Sequence, residues 1–178
     1  MKGKRLVSLG LLAAACILPG GCSHGTGFEL AGFGSSLKSD DLGQGYGGGA
    51  KLELNPIDWI SIDGRASYIR FADTQVNMVP LEAAGLLNFP MAGERIVPYV
   101  GAGVGYYFFE ADEADLDNQV GFFPLAGLEI GLWRVSLLAE ARWLFLQTDV
   151  ESAKGELQNL READIDGLGI NLGVLLRF

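Results

Sequence analysis

Residues 166–178 read DGLGINLGVLLRF, and the stretch alternates between apolar side chains and small or polar ones. The apolar side chains share one parity: Leu168, Ile170, Leu172, Val174, Leu176 and Phe178. The other parity is small or polar, with Leu175 as the exception: Gly167, Gly169, Asn171, Gly173 and Arg177. A period of two is typical of a β-strand with two different faces, and not of a helix.

Seven earlier segments repeat this alternation. They are residues 28–37, 46–54, 59–71, 77–89, 96–110, 121–132 and 135–148. With residues 166–178 they make eight predicted strands, each long enough for the roughly 9–11 residues that a tilted strand needs to cross a bilayer. The sequence therefore predicts an all-β fold: an eight-stranded, antiparallel, up-and-down transmembrane barrel.

The two faces of these strands predict which side meets lipid. One face is almost continuously apolar, whereas the other is rich in glycine, as at Gly101, Gly103 and Gly105. Glycine on an inner face permits tight strand curvature and leaves room in a narrow barrel. We therefore expect the apolar face to point outward and the small and polar face to point inward.

The predicted inner face also carries charges, mostly one or two on each strand. They are Glu29, Lys51, Glu53, Asp63, Arg65, Glu82, Glu129, Glu140 and Arg142. Charges inside a narrow barrel cost several kcal/mol each unless they are paired or hydrated. We expect a network across the lumen that plugs it or lines it with water. If a path exists, six acids against three bases favour cations.

The connectors between the strands predict the topology. Residues 55–58, 90–95 and 133–134 are short, and they alternate with residues 37–44, 72–75, 111–120 and 149–164, most of which are longer and more polar. Short turns at one end and longer loops at the other are typical of an outer-membrane barrel. We expect both termini on the periplasmic side.

Residues 1–22 are predicted to be an export signal, and residues 23–178 the barrel domain. Lys2, Lys4 and Arg5 precede an apolar stretch at residues 6–18, the order found in secretory leaders. Cys22 follows Gly20 and Gly21 and is a candidate for lipidation, and the alternative is a cysteine that is cleaved off or left near the cleavage point.

The charge of the chain excludes nucleic-acid binding as its function. Three of the 13 basic residues and none of the 22 acidic ones lie in the leader, so the exported part has a net charge of −12. Binding to nucleic acid needs a basic face.

Two segments carry a resemblance to a known family. Residues 98–106, PYVGAGVGY, and the alternating end formed by Ile170, Leu172, Val174, Leu176 and Phe178 resemble the small outer-membrane β-barrel proteins of the OmpA/OmpW-like group. The resemblance implies a barrel with little or no open pore in the bacterial outer membrane, in contact with lipid and lipopolysaccharide. It also implies that the terminal pattern is the signal read by the barrel-assembly machinery. Members of the group include structural proteins, adhesins, small-solute channels and lipid-modifying enzymes.

Motifs that carry chemistry are few, and no cofactor or metal is expected. Residues 43–48 match G-x-G-x-x-G but precede a strand, whereas a dinucleotide site needs a helix there. The acidic residues Asp112, Glu113, Asp115 and Asp117 are predicted to be a solvated loop, with divalent bridging to lipopolysaccharide phosphate as the alternative. Residues 149–164 are charged, and Glu156, Leu157, Leu160 and Arg161 have the spacing of a short helix.

An enzyme is not expected, because the only histidine, His24, directly follows the leader. Two functions from different classes remain: a structural or surface-interaction barrel with acidic loops, and a narrow channel for small hydrophobic or cationic solutes. A weaker alternative is a soluble periplasmic ligand-binding barrel, which requires the apolar faces to point inward. The sequence does not identify a surface partner.

Overall fold

The computed structural model describes residues 27–39, 42–72, 74–91, 95–111, 114–115, 118–149, 152–153, 162–164 and 166–178. The predicted leader, with Cys22, and His24 lie outside these residues, as do the acidic side chains of the loop at 112–117 and the candidate helix at 156–161. Across the described ranges, no helix is both long and apolar enough to pass through a membrane.

Eight long strands form the body of the molecule. They are β1 (Gly27–Ser39), β2 (Gly43–Ile57), β3 (Ile60–Phe71), β4 (Val76–Asn88), β5 (Ile96–Ala111), β6 (Gln119–Leu132), β7 (Val135–Asp149) and β8 (Gly167–Arg177). Three short strands lie in the connections: Ala114–Asp115 pairs with Ser152–Ala153, and Glu162–Asp164 pairs with the end of β7. Each predicted strand is present, and its observed bounds lie within three residues of the predicted ones. The largest extension is in β2, by three residues at each end, whereas β8 is one residue shorter at each end.

The sheet closes on itself. Every long strand pairs antiparallel with its neighbours in sequence, and β1 also pairs with β8 from Glu29↔Arg177 to Ser39↔Gly167. Closure pairs the backbone groups of both edge strands, which lipid could not satisfy. The predicted fold, an all-β eight-stranded antiparallel barrel, is confirmed.

The two ends of the barrel differ less than the sequence suggested. At one end, here the turn end, β1 starts, β8 finishes, and residues 58–59, 89–95 and 133–134 connect strands. At the other, here the loop end, the expected longer connection at 37–44 is wrong, because β1 runs to Ser39 and β2 begins at Gly43. The outward side chains near this turn, Ser36, Lys38 and Gln44, are polar, and the apolar Leu37 lies on the inner face, so the sequence there lacks the apolar outer row of the other strands.

The outer face is apolar, as predicted. Exposed large apolar side chains run along every long strand, for example Leu54, Ile62, Val104 and Leu172. The inner face is only partly as predicted, because its loop-end half is filled by large apolar side chains and not by small and polar ones. These residues, here the apolar cap, are Leu37, Ile69, Phe71, Val76, Met78, Phe109, Leu144 and Leu146.

Glycines on the inner wall make room for aromatic rings. A Cβ atom at Gly127 would overlap the ring of Tyr99, and one at Gly103 would overlap the ring of Phe123. An eight-stranded barrel is just wide enough for side chains to fill its interior. Small residues on one strand therefore allow a large ring from the neighbouring strand to lie flat against the wall.

We expect Gly127→Ala to lower the free energy of unfolding by about 1–3 kcal/mol, because the added methyl group displaces Tyr99 in a filled lumen. Urea unfolding in detergent micelles, followed by tryptophan fluorescence, measures the change. The matched control is Gly64→Ala, since a Cβ atom there points outward and meets nothing within 4 Å. Its expected change is within about 0.5 kcal/mol. Equal effects of the two substitutions would contradict this account of the packing.

Candidate functional site in the barrel lumen

The nine charged residues of the predicted inner face all lie inside the barrel, and each is at most 8% exposed. Strand alternation brings them there from six strands, β1 to β4, β6 and β7. Arg177 on β8 joins them as a fourth base, and its side chain is 19% exposed. The sequence showed Arg177 on the inner parity, but its position near the strand end gave no sign that it contacts the network.

Arg65 is the centre of the network. Its guanidinium donates to Asp63 Oδ2 and to Glu140 Oε1, each at 2.5 Å. Glu140 also accepts hydrogen bonds from the Tyr99 hydroxyl at 3.1 Å and from Asn171 Nδ2 at 2.9 Å. Arg65 thus forms ion pairs with two carboxylates at once. The two neutral donors, Tyr99 and Asn171, add further hydrogen bonds to Glu140.

A second ion pair lies toward the apolar cap. Arg142 pairs with Glu82, which also accepts a hydrogen bond of 2.7 Å from the Tyr107 hydroxyl. The guanidinium carbons of Arg142 and Arg65 each lie 5.7 Å from the centre of the Phe123 ring. Cation–π contact of this kind is strongest where water is excluded, and here one ring joins the two ion pairs.

The third group is at the turn end. Lys51 Nζ lies 2.8 Å from Glu53 Oε2, 3.9 Å from Asp63 Oδ2 and 4.0 Å from Glu129 Oε1. Arg177 contacts Glu29 at 3.2 Å and Glu129 at 3.3 Å. Because Lys51 reaches Asp63, the ion pairs continue without a break from the mouth of the barrel to Arg65.

A cavity of about 70 Å³ lies at this mouth, lined in part by Glu29, Glu53 and Glu129. Each of these glutamates offers an oxygen atom, and the three oxygens lie within 4.8 Å of one another. This geometry would suit a cation. Lys51 and Arg177, however, already contact the same carboxylates, so two side-chain cations supply the positive charge here.

The electrostatic balance of the lumen is slightly negative, with six acids and four bases. Removing one partner of a buried ion pair typically costs 3–5 kcal/mol, because the other charge is left uncompensated. The network therefore fixes the relative positions of the strands that carry it. The hydrogen-bond donors Tyr99, Tyr107 and Asn171 were not identified from the sequence, although all three have inward parity.

Comparison with known proteins adds the family and the fold. The family model of the outer membrane protein beta-barrel domain matches residues 6–178. The neisserial surface protein NspA shares 15% sequence identity with this chain. Its crystal structure superposes with a TM-score of 0.70, and the match covers 86% of this chain and 98% of NspA. OprG from Pseudomonas aeruginosa is 15% identical with a TM-score of 0.63, covering 87% and 98%. The N-terminal barrel of Pseudomonas aeruginosa OprF is 18% identical with a TM-score of 0.56, covering 86% and 98%. No curated protein matches the chain by sequence.

We expect Arg65→Gln to lower the free energy of unfolding by about 3–5 kcal/mol, because Asp63 and Glu140 lose the charge between them. Urea unfolding in micelles gives the value. Arg70→Gln on the same strand is the control, since Arg70 is exposed on the outer face, and its expected change is within about 0.5 kcal/mol. A loss below about 1 kcal/mol for Arg65→Gln would show that the network does not hold the barrel together.

Proposed function

This chain belongs to the family of the outer membrane protein beta-barrel domain, and we propose that it is a closed barrel with a structural or surface-interaction role. The observation that carries the proposal is the filling of the lumen. Ion pairs occupy its middle and turn-end part, and the apolar cap occupies the loop-end part. Catalytic activity is not part of this proposal.

The order of these two layers supports a closed lumen. An ion that passes all three groups of ion pairs would next meet Phe71, Met78 and Leu146 of the apolar cap, which are fully buried and uncharged. Transfer of an isolated ion into apolar surroundings is strongly unfavourable. The apolar cap is thus a barrier that does not depend on how the ion pairs are arranged.

The loop end is the proposed interaction surface. We infer that the termini face the periplasm, after removal of residues 1–22, and that the connections β5–β6 and β7–β8 face the outside. Pairing of Ala114–Asp115 with Ser152–Ala153 joins these two connections into one unit. NspA is by name a surface protein, and Ail of Yersinia pestis, a barrel of similar fold, is by name an attachment invasion locus protein, which supports such a role.

The barrel-assembly signal is a further part of the proposal. Four apolar residues of β8 face outward: Ile170, Leu172, Val174 and Leu176. The ring of Phe178 stacks on the ring of Phe28, with 5.1 Å between the ring centres. An exposed apolar row that ends in an aromatic ring is available to an assembly factor before β1 and β8 pair. Lipidation of Cys22 stays a prediction of the sequence.

A narrow cation channel is the alternative, and two observations favour it. The lumen has two more acids than bases, and the side-chain oxygens Ser35 Oγ, Ser67 Oγ and Asn171 Oδ1 have no hydrogen-bond partner among the described residues. Such atoms suit a hydrated path. The soluble ligand-binding barrel is not carried forward, because the apolar faces point outward.

Planar-bilayer recording separates the two functions. We expect the folded protein, identified by its shift in mobility between cold and boiled SDS samples, to give no steady conductance above that of the bare bilayer. No current is expected because the apolar cap offers a passing ion no polar group in place of water. A steady, cation-selective current from the unmodified barrel would refute the closed lumen and establish the channel.

Epitope insertion tests the orientation. We expect a peptide tag placed between β7 and β8 to bind antibody on intact cells, because this connection is proposed to face outside. The control is the same tag between Trp133 and Arg134 at the turn end, which should be labelled only after the outer membrane is permeabilised. The reverse pattern would overturn the proposed orientation.

A further inference from the structure

The turn between β6 and β7 contains a backbone conformation that its sequence disfavours. Trp133 has a φ of 71°, in the left-handed region that glycine normally occupies in a two-residue hairpin turn. Its side chain is also 82% exposed, the highest value for a large apolar residue among those described. A bulky residue in this region is strained, and such strain is a reason to look for a function.

Arg134 lies beside this tryptophan, and Arg95 lies in a turn that is hydrogen-bonded to the end of β6. The guanidinium carbon of Arg134 lies 5.5 Å from the centre of the Trp133 ring. Arg95, in the neighbouring β4–β5 turn, accepts a hydrogen bond of 2.7 Å at its carbonyl oxygen from the Gly131 amide, which fixes that turn against the end of β6. Both arginines are exposed, and no described carboxylate forms an ion pair with either.

Among the residues that the structure describes, the acids at this end gather around the mouth of the lumen, where Glu29, Glu129 and Asp58 line the cavity. Arg95 and Arg134 lie in the turns at the outer rim and do not line that cavity. They therefore carry positive charge outside this group of acids. At this depth a bilayer presents its phosphate groups.

We propose that Trp133, Arg134 and Arg95 form a binding site for the phosphate of an anionic phospholipid, such as phosphatidylglycerol, in the leaflet at the turn end. The guanidinium groups supply paired donors that match phosphate oxygens. The indole ring lies at the level of the head groups, where tryptophan is favoured. The inference uses only the bilayer-spanning barrel and is independent of whether the lumen is closed.

Quenching by brominated lipids tests the proposal. Trp59→Phe and Trp143→Phe leave Trp133 as the single tryptophan, and the variant is reconstituted into mixed bilayers of phosphatidylglycerol and phosphatidylcholine. Either lipid is brominated in turn, at equal mole fraction. We expect stronger quenching of Trp133 when phosphatidylglycerol carries the bromine. Equal quenching by the two lipids would overturn the proposal.

Arginine variants identify the source of the preference. Each base near a membrane surface contributes roughly 1 kcal/mol to binding of anionic lipid, which corresponds to about a fivefold change in the association constant. We therefore expect Arg134→Gln or Arg95→Gln to lower the relative association constant for phosphatidylglycerol about fivefold. The control is Arg70→Gln near the loop end, which should leave it unchanged. A preference that survives loss of both turn arginines would also refute the site.

Trp133→Gly gives a second test that does not depend on fluorescence of this residue. Because glycine adopts a φ of 71° without strain, we expect this variant to unfold at a higher urea concentration than the parent in zwitterionic micelles. In bilayers rich in phosphatidylglycerol the gain should shrink or reverse, since the contact with the lipid is lost. The same gain in both media would show that Trp133 has no role in lipid binding.

Discussion

A strand that crosses a bilayer must find a partner for every backbone N–H and C=O group within the protein, because hydrocarbon offers none. In this chain the β1–β8 pairing meets that requirement and turns eight strands into a closed wall. A closed wall in a bilayer has one face toward lipid and one toward the lumen, which explains the outward row of apolar side chains and the inward parity of the charges. Closure with only eight strands also makes the interior narrow, and this limits which side chains fit inside.

Two kinds of side chain line the narrow lumen. Near the loop end, side chains such as Phe71 and Leu144 pack as an ordinary apolar core. In the other half, Arg65 and Arg142 are held by carboxylates and share contact with Phe123. Gly127 and Gly103 leave room for the large rings of Tyr99 and Phe123 on the neighbouring strands. The interior thus combines a region of ion pairs with a region of apolar packing.

Much of this could be predicted from period two alone. Alternation identified all eight strands, and parity placed Glu29, Lys51, Arg142 and the other charges on the inner face. Partners could not be predicted, because Arg65 and Glu140 meet across the lumen, and such contacts depend on strand register and tilt. The apolar cap was missed because the inner parity of β3 is polar as far as Ser67 and only then changes to Ile69 and Phe71, so the pattern of the strand as a whole predicts a polar inner face. Leu175 visibly broke the alternation of β8, and it is fully buried, but it lies near the turn end and not in the apolar cap.

The span of the ion pairs along the chain has a consequence for how the barrel is made. Arg65 and Glu140 are 75 residues apart, and Arg142 and Glu82 are 60 apart. The charges of β3 and β4 have no partner on β7 until that strand arrives, and β8 then completes the wall that encloses them. The pairs that cross to β7 therefore form late, close to the closure of the β1–β8 seam, whereas Arg65 has Asp63 beside it on its own strand from the start. A chain held before β7 is in place leaves Glu82 without its arginine, and an unpaired carboxylate is strongly disfavoured in lipid, which opposes insertion of the β3–β4 hairpin on its own.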